Sequence, residues 1–201
     1  MKIPLEENKV PTTQSLTPSI LKSRSFGALV LTFFGTFWAF CALVALNGAA
    51  GWLPFIMVCL ITILLFVGSL SLCHAVKQIA KAPPTAEERN SRRNYRLVNV
   101  LQVVALTVAS LVWSLTHHQE LILPSLAFIV GLHFFALVDI LHRKLYFVVG
   151  LAICSLGCLT LLFLPSTAHV GRTQIYPWIV VIGFGSALIL WSTVIETLLQ
   201  V

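Results

Sequence analysis

The sequence predicts an all-α integral membrane protein, a compact bundle of six transmembrane helices with both termini on the cytoplasmic side. Three observations predict it. Hydrophobic residues make up 58% of the chain and charged residues only 10%, against roughly 25% charged in soluble domains. That leaves too little charge to cover a water-facing surface. The apolar residues gather into six runs. Each is close to or beyond the ~20 residues a helix needs to cross a bilayer core about 30 Å thick. The basic residues are asymmetric: with the N-terminus inside, all but one of the 13 Lys and Arg fall on the cytoplasmic side, and only Arg172 falls outside.

Taken in order, residues 1–25 form a cytoplasmic tail. Its first part mixes Lys, Glu, Pro and Thr and has no apolar core of its own, so it reads as unstructured. Thr17-Pro18 reads as an N-cap followed by Pro at the first helical position, opening a short interfacial helix through Lys22. No cleavable leader is expected, and the first apolar run would serve as an uncleaved anchor.

The spans are expected at about 26–46, 52–77, 97–115, 121–141, 145–164 and 176–199, together forming one membrane domain over 26–199. Pro83-Pro84 stop the second span. Thr85-Ala86-Glu87-Glu88 then reads as a capping box. The third helix should therefore begin near Ala86 and extend over about 86–96 into the cytoplasm before entering the membrane. There Arg92, Arg93 and Arg96, with Arg143 and Lys144 in the turn after the fourth span, would meet anionic headgroups. The second, fourth and sixth spans each open with a proline (Pro54, Pro124, Pro177), and Trp52 and Trp178 flank two of them. This layout suggests three tandem helical hairpins. The competing explanation is that Pro favours first turns and Trp favours interfaces in any membrane protein.

Ionisable side chains inside apolar spans are costly and draw attention. His74, Asp139, His142 and Glu196 all lie near the inner ends of even-numbered spans. Converging, they would make a polar cavity open to the cytoplasm, suited to a divalent metal or to proton transfer. The alternative is that helix ends at headgroups tolerate polar groups, with Asp139 pairing to Arg143 four residues on.

His133 differs because it lies near the middle of the fourth span. There it must find a partner within the bundle, with Ser110, Ser114 and Thr36 as candidates. It is either a substrate or proton-pathway residue or one packing hydrogen bond. Gln102 and Asn99 on the third span would line the same inner cavity or bond between helices. A haem is not expected, since His74 lies too near the inner face to be a second axial ligand.

The outer His117-His118-Gln119-Glu120 turn, with His169 and Arg172 in the last outer loop, reads as solvated surface. Cys41, Cys59, Cys73, Cys154 and Cys158 all lie in apolar runs, which is no disulfide framework. Gly150 and Gly157, with Gly183, Gly185 and Ser186, read as close-packing surfaces.

No Walker sequence, nucleophile elbow, His-Glu-x-x-His zinc motif or voltage-sensor helix occurs. The charge is too sparse outside the spans for a nucleic-acid surface. The expected partners are the lipid bilayer, with its anionic headgroups, and further copies of the chain. The expected function is that of a small transporter or channel-like protein in a bacterial inner membrane, with no cofactor. The alternatives are an intramembrane metal-dependent enzyme at the inner leaflet and a non-catalytic structural or regulatory subunit.

Overall fold

The computed structural model describes residues 18–79, 86–141 and 143–200. Among them are six long helices: α1 (Pro18–Ala45), α2 (Leu53–Ile79), α3 (Ala86–Leu115), α4 (Ile122–Leu141), α5 (Leu145–Phe163) and α6 (Pro177–Leu199). All six are long and apolar enough to cross a membrane, which is compatible with an integral membrane protein. The expected tail over 1–17 lies outside the described residues. α1 runs unbroken from Pro18, with no Gly or Pro between Ser19 and Phe26 to end its first turns.

Helix boundaries follow local chemistry. Pro177 opens α6, and Pro54 and Pro124 lie in the first turns of α2 and α4, where a missing N–H costs nothing. α5 stops at Phe163. Leu164, which precedes Pro165, is extended, with φ −111° and ψ 149°; the ring of a following proline clashes with the helical conformation. Gly48 and Gly51, at φ +77° and +67°, let the chain reverse between α1 and α2. A short antiparallel pair, β1 (Ala168–Val170) with β2 (Thr173–Ile175), sits between α5 and α6. It was not expected from the sequence. Gly171 at its tip, with φ +62°, permits the turn.

The helices pack in the order α2, α1, α6, α5, α4, α3. The hairpin partners α1–α2, α3–α4 and α5–α6 do touch, but the largest interface joins the first helix to the last, and the next joins α4 to α5. α1 and α6 run antiparallel, so the start of α1 and the finish of α6 share one end of the bundle, called the base here. At the opposite end, the top, Tyr176 N–H donates to the Ala45 carbonyl (3.2 Å) and Trp178 Nε1 to the Leu164 carbonyl (2.7 Å).

Small residues set the closeness of the two main interfaces. A Cβ on Gly183 would stand 2.7 Å from the Trp38 carbonyl oxygen, and one on Gly150 would stand 2.7 Å from the Gly131 carbonyl oxygen. Ala39, Ala42 and Ala187 are buried along the α1–α6 seam. Such residues let helix backbones approach where lipid gives no hydrophobic drive. Large side chains such as Phe33, Leu64 and Leu162 point outward instead, giving an apolar exterior that water would not tolerate. Buried threonine hydroxyls bond carbonyls on their own helices: Thr32 bonds the Ala28 carbonyl, Thr160 that of Leu156, Thr193 that of Ile189 and Thr197 that of Thr193.

Candidate functional site

α4 presents three packed faces. Phe128, Gly131 and Phe135 meet Gly157, Cys154 and Gly150 of α5. Ala127, Val130 and Phe134 enter the core. That leaves the half-buried line of Leu126, Ile129, His133 and Ile140 for α3, the other helix that packs on α4 at length. Leu126, His133 and Ile140 are seven residues apart, so they share one face.

Across from this line, α3 turns Tyr95, Val98, Asn99, Gln102, Leu106, Ser110 and Trp113 partly inward. The α3–α4 seam therefore carries polar groups at several levels. At the top, Trp113 Nε1 donates to Ser125 Oγ at 2.8 Å.

His133 sits mid-seam. Its Nδ1 is buried with no hydrogen-bond partner. Its ring lies edge-on to Phe134 at 6.1 Å, and Phe134 in turn stacks on Tyr146 at 5.9 Å. None of the expected partners is used. Thr36 is committed on the α1–α2 side, donating to the Thr32 carbonyl (2.8 Å) and meeting Thr62 Oγ1 at 3.1 Å. Ser114 is exposed and Ser110 half-buried. A buried imidazole nitrogen without a partner costs more than a bonded one, so its position calls for a use.

His74 and Asp139, expected to converge near the base, do not meet. His74 is exposed on α2 and Asp139 is exposed on α4, and these two helices do not pack on each other at length. His142 lies outside the described residues. Among the described residues, no three His, Cys, Asp or Glu side chains stand close enough to hold a metal ion. The Asp139–Arg143 pairing does not form either. α4 ends at Leu141, so Arg143 is no longer on its helical face. Its Nη2 instead donates to Gln200 Oε1 at 2.6 Å, and Gln200 Nε2 donates to Glu196 Oε1 at 2.8 Å.

Glu196 thus belongs to a chain with Arg143 and Gln200. It also lines an open groove of about 250 Å³ with Ser192, Thr193 and the α5 residues Leu145, Val148, Val149 and Ala152. Tyr146 and Gln200 are the residues of the base that the sequence did not flag. The first looks like one more aromatic in an apolar run, and the second lies past the last span.

Elsewhere, Arg89, Arg93 and Arg96 line a groove of about 440 Å³ on α3 with Leu97 and Val100. Lys144 is exposed. Neither this groove nor the α5–α6 groove is lined by His133, which is half-buried. The five cysteines are free thiols. At the top, His118 Nδ1 and Glu120 Oε1 lie 3.1 Å apart, both exposed. Trp38 Nε1, Ser186 Oγ and Trp191 Nε1 are buried along α1–α6 without hydrogen-bond partners. Compared with protein-family models, with curated proteins and with solved structures, the chain matches none.

Proposed function

We propose that this chain is an integral membrane protein of a bacterial inner membrane, with both termini cytoplasmic. In this reading it works as a small transporter or channel-like protein whose polar path is the α3–α4 seam. The observation that carries the reading is His133: an imidazole near the middle of an apolar helix, with a buried and unpartnered Nδ1. An ionisable group in that position is expensive unless it serves a substrate, an ion or a proton. Gln102 and Asn99 on the facing helix supply further polar groups toward the base. His133 is half-buried between α4 and its neighbours, so in this reading α3 parts from α4 to admit a substrate. That is consistent with α3 being the least buried of the six spans.

The basic residues support the orientation. Arg89, Arg93, Arg96, Arg143 and Lys144 all lie at the base, and Arg172 is at the top. A second reading, a packing subunit in which His133 only fills space, draws support from Trp38, Ser186 and Trp191, whose polar atoms are also buried without partners. The separation of His74 from Asp139 gives an enzyme at the inner leaflet no comparable support.

The test is reconstitution into liposomes, reading proton entry with a trapped pH dye and neutral-solute entry by osmotic swelling. The transporter reading expects permeability above that of empty liposomes, abolished in His133→Ala without loss of thermal stability. Permeability equal to empty liposomes, or a His133→Ala variant that merely melts earlier, would favour the packing subunit.

A further inference from the structure

The arginines of α3 have a geometry that the transport reading does not use. Arg89, Arg93, Arg96 and Val100 follow one another at spacings of four, three and four, so they form a single stripe along one helix face. Leu97 lies beside them. Together these five residues line a groove of about 440 Å³. All three arginines are exposed, and among the described residues none has a carboxylate partner. Three like charges one turn apart repel each other, so the stripe attracts an anion. Its position fixes the kind of anion. The apolar window of α3 runs from Arg93 to Leu115. Arg89 therefore stands just outside it, Arg93 and Arg96 stand in its first turn, and Leu97 and Val100 lie deeper.

We propose that Arg89, Arg93 and Arg96, with Leu97 and Val100 below them, form a binding site for an anionic phospholipid. The guanidinium groups take the phosphate, and the two apolar side chains take the upper part of an acyl chain. Guanidinium presents paired N–H donors that match phosphate oxygens two at a time, which an ammonium cannot do. A zwitterionic headgroup brings its own cation and gains less from the stripe. A free phosphate would find the arginines but not the apolar floor. The proposal rests on α3 spanning a bilayer and not on the seam being a transport path, so flux through liposomes and lipid binding fail independently.

The test uses the full chain in mild detergent, titrated with dioleoyl phosphatidylglycerol, dioleoyl phosphatidylcholine or free glycerol 3-phosphate and read by native mass spectrometry. Phosphatidylglycerol is expected to bind on the order of 100-fold more tightly than phosphatidylcholine, the size three basic residues at a headgroup supply. Arg89→Gln/Arg93→Gln/Arg96→Gln should bring the two lipids level, and the single variants should each remove part of the preference. Equal binding of the two lipids by the unmodified chain would overturn the proposal. So would a preference that survives the triple variant, or glycerol 3-phosphate competing as well as the whole lipid.

Discussion

Gly183 and Gly185 are two residues apart on α6, yet a methyl group on each has different consequences. At Gly183 the new Cβ would meet the backbone of α1: the Trp38 carbonyl oxygen at 2.7 Å and the Ala42 nitrogen at 3.0 Å. Neither can yield without moving the helix. At Gly185 it would meet the terminal methyls of Leu156, which a rotamer change can withdraw. Gly183→Ala should therefore cost about 1–3 kcal/mol, in the range of overpacking in a tight interior. Gly185→Ala should cost little. Thermal unfolding of the two variants in the same detergent checks this, and equal losses would mean that the α1–α6 distance is not set at Gly183. The sequence identified both glycines as packing residues. It could not rank them, because the rank depends on whether backbone or a flexible side chain faces each one.

Among the elements, α3 stands apart. None of its apolar window is buried, while it carries the Arg stripe at one end and the Trp113–Ser125 bond at the other. It is helical from Ala86 to Leu115, while the Pro83-Pro84 stop and the Thr85 cap read from the sequence lie outside the described residues. Its neighbours are not local information. Hydropathy gives the depth of a residue but not its direction around the helix, and helix order in a bundle is decided by packing. That is why His74, Asp139 and Glu196, which share a depth, do not share a site. It is also why Tyr146 and Gln200 escaped notice, and why His133 was recognised as unusual without its seam being known. If Trp113 is the main tether of α3 at the top, Trp113→Phe should loosen that end at a small cost, about 0.6 kcal/mol for a typical interhelical hydrogen bond. Spin labels at the exposed positions Leu115 and Leu162 should then show a broader distance distribution than in the unmodified chain. An unchanged distribution would place the tether elsewhere.

For the whole molecule, the order α2, α1, α6, α5, α4, α3 gives a tight centre and two lightly packed edges. The centre holds the glycines and alanines that bring helices together, and its threonine hydroxyls bond their own helices. At the α3 edge, α4 carries the mid-span imidazole of His133, and α3 carries the half-buried Gln102 and Ser110. A bundle built this way can keep its core fixed while one edge helix moves, as a gate requires.

The most direct test of this account is the water accessibility of position 133. With the five native cysteines replaced, His133→Cys in liposomes would be exposed to a membrane-impermeant thiol reagent beside Leu132→Cys, its neighbour on the exposed face of α4. The account predicts that the cysteine at 133 reacts well above the lipid-facing control, because the seam opens to water. Equal and negligible reaction at both positions would contradict it and leave His133 as a packing residue in a closed bundle.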